Sequence, residues 1–190
     1  MTLQLSNDIL EFLNLSTTRE FLDTANKFID ILENRTLTKE KFLKQSHSAL
    51  IDLYSAGHKL QQIELKYSSS DSDFDRDKIF DNKNAGQISQ FGDEAFYWEV
   101  FDPTYSEQNG ESKSGWTITD RDASQGWLVD DFADIYHDLK IELEKIYKIR
   151  TDEAVEDALW QLKFSFHNHW GEHAINAMRY LHYYWYDNKL

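Results

Sequence analysis

Hydrophobic positions along the chain recur mainly every three to four residues, the spacing of one face of an α-helix. A short amphipathic start carries Ile9, Phe12 and Leu13. Thr17 followed by Glu20 has the form of a capping box, in which hydroxyl and carboxylate satisfy the first turn reciprocally. Phe21, Leu22, Ala25, Phe28, Ile29 and Leu32 then keep helical spacing, and Asn34-Arg35-Thr36 ends the run. Thr38 is placed to cap the next helix, whose Phe42, Leu43, Ala49, Leu50, Leu53 and Tyr54 continue toward Leu60. So short a turn predicts two antiparallel helices.

The middle of the chain breaks this pattern. Ser68 to Asp73 is a polar run inside a connector predicted near 66–76. Ile79, Phe80, Ile88 and Phe91 predict a further helix that includes Gly86. The aromatic block from Phe96 to Phe101 reads as a buried element that stops at Pro103, because the residue before a proline disfavours helix. A long loop is predicted near 104–126, with a short extended stretch at Trp116-Thr117-Ile118-Thr119.

Helical period returns strongly toward the end. Leu128, Phe132, Ile135, Tyr136, Leu139, Leu143, Ile146 and Tyr147 form one apolar stripe, with Asp130, Asp134, His137 and Asp138 off it. A single last helix is predicted from about Asp152 to beyond Tyr184, with Val155, Leu159, Leu162, Phe166, His173, Ala177 and Tyr184 on one face. Trp160, Trp170, Ala174, Met178, Leu181 and Trp185 widen that face, which places this long helix at the centre of the fold.

Four stretches of this region also follow one another at a recognisable spacing. They are Phe132 to Lys140, Ala158-Leu159-Trp160, Trp170-Gly171, and Ala177 to His182. Together with Phe101-Asp102-Pro103 they resemble the bacterial family catalogued as domain of unknown function 5063. The resemblance implies an all-helical domain and carries no activity with it. The chain departs from the family pattern in its polar insert after Pro103 and in its aromatic tail, Tyr183 to Tyr186.

Composition narrows the function classes. At 190 residues, the chain is expected to form one domain over 1–190. The expected fold is an all-α bundle of about five to seven helices. Without cysteine there is no disulfide framework and no thiolate ligand or nucleophile. A formal charge of −14 argues against gripping nucleic acid or anionic lipid. No apolar run reaches the length of a membrane span and the first residues lack the basic region of a signal peptide, so a cytoplasmic protein is expected.

The sharpest chemical candidate is His169-Trp170-Gly171-Glu172-His173, an H-x-x-E-H pattern used by some zinc peptidases. Histidines four apart on a helix can share one metal. No Glu follows His173, so a third ligand has to come from an upstream helix, with Asp134 or Asp138 the best placed. Competing with this, His173 lies in the apolar stripe, where a core histidine with one hydrogen bond is the commoner reading. Asp138 and Arg179 also suggest a structural bridge between the last two helices. Gly110 to Gly115 lacks the lysine of a phosphate loop, and no Gly-x-Ser-x-Gly elbow exists. Tyr183 and Tyr186 lie away from the centre of the apolar face and would mark a surface for a protein partner or a second copy. The sequence therefore reads first as a non-enzymatic interaction module that needs no cofactor. The alternative is a divalent-metal-dependent hydrolase using His169 and His173 with an Asp ligand.

Overall fold

A computed structural model describes residues 5–68, 95–100 and 123–188, with side chains as far as Trp185. The helix predicted around 79–91, the extended stretch at 116–119, Phe101 to Pro103 and the side chain of Tyr186 lie outside the described residues. Six α-helices account for most of the described chain: α1 (Asn7–Asn14), α2 (Ser16–Glu33), α3 (Lys39–Lys59), α4 (Leu128–Glu144), α5 (Asp152–Asn168) and α6 (Trp170–Asn188). Two short strands, β1 (Phe96–Glu99) and β2 (Ser124–Trp127), pair antiparallel as a ribbon. The fold is thus helical, as the periodicity requires.

α2 and α3 form the antiparallel pair expected from their short turn. Lys27 meets Asp52 and Glu20 meets Lys59 across them, partners that run in opposite directions along the two helices. Thr38 caps α3 by accepting from the Lys41 amide. The capping box at Thr17 does not form. Only Leu15 separates α1 from α2, so Thr17 already lies inside the helix, and its hydroxyl is buried without a partner among the described residues.

The core joins this pair to the C-terminal helices. Phe132 of α4 meets both Phe28 and Phe42 at ring separations of 6.1 and 5.9 Å. Its neighbours Ile135, Tyr136, Leu139, Leu143 and Ile146 are buried, whereas Tyr147, the last residue of the expected stripe, is exposed. The period fails there because α4 loosens into a π-helical turn, Lys145–Ile149. That turn carries Lys145 into the interior, between Glu142 at 2.7 Å and Asp157 at 2.6 Å. Arg150 follows in left-handed conformation, with φ 53°.

The last helix is two helices, not one. The chain breaks at His169 (φ −152°, ψ −87°) between α5 and α6. Trp170 turns inward there, fully buried, and its indole N–H donates to the Leu162 carbonyl at 3.1 Å. α5 is also pinned to α3, since the Lys163 ammonium donates to the carbonyls of Gly57 and His58 at the helix end. That end attracts a cation because its carbonyls lack intrahelical partners.

The aromatic block of 96–99 is a half-exposed strand rather than a buried element. Phe96 and Trp98 face outward, Trp98 being 68% exposed, while Tyr97 and Glu99 face the helices. The loop expected up to residue 126 gives way to strand at Ser124. The residues opening the polar connector are tied down: Glu156 accepts from the amides of Tyr67 and Ser68 and from the Ser68 hydroxyl. No helix among the described residues is long and apolar enough to cross a membrane.

Candidate metal centre

α4 and α6 pack side by side and run in opposite directions, so Asp138 meets His169 while Asp131 and Asp134 meet His173. The helix break sets the first of these contacts. His169 occupies the joint itself, where its ring is free of the packing that fixes a mid-helix side chain, and its Nδ1 lies 2.8 Å from Asp138 Oδ2. One turn later, His173 places Nδ1 2.9 Å from Asp131 Oδ1 and Nε2 3.4 Å from Asp134 Oδ2. The two imidazoles meet edge to face, 4.9 Å apart.

This arrangement has the form of a metal site with its outer support. A carboxylate accepts hydrogen bonds, so Asp138 and Asp131 each fix a proton on Nδ1. In that tautomer a neutral ring would carry its lone pair on Nε2. Ligand atoms of Asp134, His169 and His173 lie within 4.8 Å of one another. A tetrahedral zinc with bonds near 2.1 Å needs its ligand atoms about 3.4 Å apart. The His173 Nε2–Asp134 separation has that value, and a ring nitrogen of His169 lies within the 4.8 Å of the group. Metal-bound histidines characteristically hand their other ring N–H to a carboxylate in this way. Two imidazoles and one carboxylate suit zinc, and leave a coordination position open.

Of the four candidate ligands read from the sequence, Asp134, His169 and His173 come together, and Asp138 stands behind His169. The expected Asp138–Arg179 bridge does not form. Arg179 lies ten residues beyond His169, about 15 Å along the helix, and donates instead to the Trp98 carbonyl. Glu172, the glutamate of the H-x-x-E-H pattern, is not among the groups gathered at Asp134, His169 and His173. It lines a cavity of about 790 Å³ with Trp98, Glu99, Asn176 and Arg179. The core-histidine reading of His173 holds in its one hydrogen bond, to Asp131, while the ring is only partly buried and a second carboxylate, Asp134, lies 3.4 Å from Nε2.

Asp131 and Tyr97 are the residues that sequence reasoning missed. Asp131 is 2% exposed. Its second oxygen accepts from the Tyr97 hydroxyl at 2.7 Å. Tyr97 reaches it across the ribbon because its cross-strand partner is Gly126; a Cβ there would lie 2.4 Å from the tyrosine ring. Burial raises the Asp131 pKa, against the hydrogen bonds from His173 and Tyr97. The first turn of α4, where it sits, favours the ionised form. Burial alone would lower the His173 pKa, but the hydrogen bond and charge of Asp131 raise it above the ordinary 6.5. Burial, then the charges of Asp131 and Glu172, raise Glu99, which accepts from the Asn176 amide at 2.8 Å.

No curated protein matches the chain. Among solved structures, the crystal structure of protein BF1032 from Bacteroides fragilis is similar with a TM-score of 0.65, covering 90% of this chain and 93% of that one. The two are 19% identical, so the likeness is one of fold. The family described as Domain of unknown function (DUF5063) matches residues 14–187, and the chain belongs to that family.

Proposed function

We propose that this domain binds one divalent metal ion of the zinc class between α4 and α6, through His169, His173 and Asp134. The observation that carries this reading is the pair of carboxylates on the outer ring nitrogens, Asp138 on His169 and Asp131 on His173. They would leave Nε2 of each ring to ligate, and that of His173 already lies 3.4 Å from Asp134. The open fourth position would hold a water or a substrate atom. When bound, the metal would supply Lewis-acid activation, the chemistry that a hydrolase requires.

Tag-free protein should gain thermal stability from added Zn²⁺ or Mn²⁺. At a hundredfold excess over Kd the gain is about 2.7 kcal/mol, several degrees in Tm for a chain of this length. The double variant H169Q/H173Q should lose the gain. An unchanged melting temperature in the parent, or an equal rise in the variant, would overturn the reading. A metal-stimulated hydrolytic activity would add the enzymatic step.

The interaction module is the second reading. It is supported by the exposed rings of Trp98 and Tyr183, the latter 61% exposed, and by Ile175 beside the Trp98 cavity.

A further inference from the structure

The inward face of β1 is held to the helices around His173. Tyr97 donates to Asp131 of α4, Glu99 accepts from Asn176 of α6, and the Trp98 carbonyl accepts from Arg179. Only the first of these hydrogen bonds ends on a residue that is itself hydrogen-bonded to a candidate ligand. Asp131 is shared: Oδ2 takes the tyrosine proton and Oδ1 faces Nδ1 of His173. A buried carboxylate with one oxygen unheld can rotate about its Cβ–Cγ bond. With both oxygens held it presents a fixed acceptor to the imidazole. Tyr97 is suited to this work because its hydroxyl stays protonated: burial first, then the nearby Asp131 charge, push its pKa far above the usual value. Gly126 supplies the room through which the ring approaches.

We infer that Tyr97 is a positioning residue of the metal site, fixing Asp131 so that Asp131 fixes His173, and that the ribbon thereby contributes to metal affinity. The inference rests on the metal-binding reading given above. It adds a residue from a distant part of the chain that touches no ligand. Loss of such an outer partner typically weakens metal binding tenfold or more when the partner contacts the ligand directly. One step further out, a loss of about threefold to tenfold is expected.

The test compares Zn²⁺ affinity, measured by competition with a chromophoric chelator at one pH, in three proteins. These are the parent, Tyr97→Phe and Asn176→Ala. Y97F keeps the ring over Gly126 and removes only the hydroxyl, whereas N176A cuts a different tether of the same strand. The expected result is weaker zinc binding in Y97F and near-parent binding in N176A, both read well below the metal-free melting temperature, which falls by a few degrees in Y97F because a buried Asp131 oxygen loses its donor. Parent-like affinity in Y97F would overturn the inference and leave the metal site standing. Equal losses in Y97F and N176A would also overturn it, since general seating of the ribbon would then explain both. A parent that binds no zinc would overturn the metal site and this inference together.

Discussion

Trp170 and Gly171 stand where α5 gives way to α6, and their chemistry explains why that joint tolerates little change. A Cβ on Gly171 would sit 2.0 Å from the Phe166 carbonyl oxygen, a backbone atom that no rotamer can move aside. Gly171→Ala should therefore displace α6 from α5 and cost about 3 kcal/mol, at the upper end of overpacking penalties. Urea unfolding measures it, and a loss below about 1 kcal/mol would mean that the joint opens freely. The two histidines and Asp134 were legible in the sequence because a four-residue spacing and a missing third ligand are visible in one dimension. Asp131 carried a signal that went unread: it lies three residues after Leu128 and four before Ile135, on the apolar stripe itself. An acidic residue on a buried face needs a partner. The identity of the partners, His173 and Tyr97, is set by tertiary contact and no spacing reveals it.

Helices were legible wherever the period was regular, as in α2, α3 and α4, with a cap agreeing only at Thr38 of α3, and illegible where packing overrode the pattern. The apolar run Phe166, Trp170, Ala174, Ala177 and Leu181 continues across the break at His169, which hides it. β1 was obscured for another reason. Its three consecutive aromatics put apolar rings on both faces, so no alternation marks a strand. The segment after α3 gives a prediction of pH dependence. Burial of Glu156 favours the neutral acid, but the hydrogen bonds from Ser68, Lys66 and Tyr67 outweigh it and lower the carboxyl below its ordinary 4.5. A depressed folded-state pKa contributes stability above the unfolded value and loses it as pH falls through the folded one. Acidifying below about pH 4.5 should thus release residues 66–68 from α5, as slowed proton exchange at the Tyr67 and Ser68 amides disappears. Glu156→Gln should be less stable at neutral pH and show less of this acid dependence. A parallel acid profile in the variant would assign the transition to other carboxylates.

Across the described residues, the molecule is an acidic helical framework with a two-stranded ribbon laid against α4 and α6. Its formal charge of −14 favours cations near the Asp-rich start of α4 and opposes the approach of a second copy. Self-association would have to overcome that repulsion through apolar contact, and Trp98 and Tyr183 are the exposed rings able to supply it. If the interaction reading holds, light scattering should give a multiple of 22.5 kDa for the parent. The double variant W98S/Y183S should return it to a single copy, with unfolding changed by no more than about 0.5 kcal/mol. A parent of single mass would remove self-association from that reading. The order of the candidate ligands along the chain matters in a different way, through kinetics. Asp134, His169 and His173 fall within about forty consecutive residues, so little chain must be closed to bring them together. α4, the π-helical turn, α5 and α6 can gather these groups before the N-terminal helices dock. A metal ion present during refolding would then stabilise an early, local nucleus and speed folding itself, while an ion added afterwards could only slow unfolding.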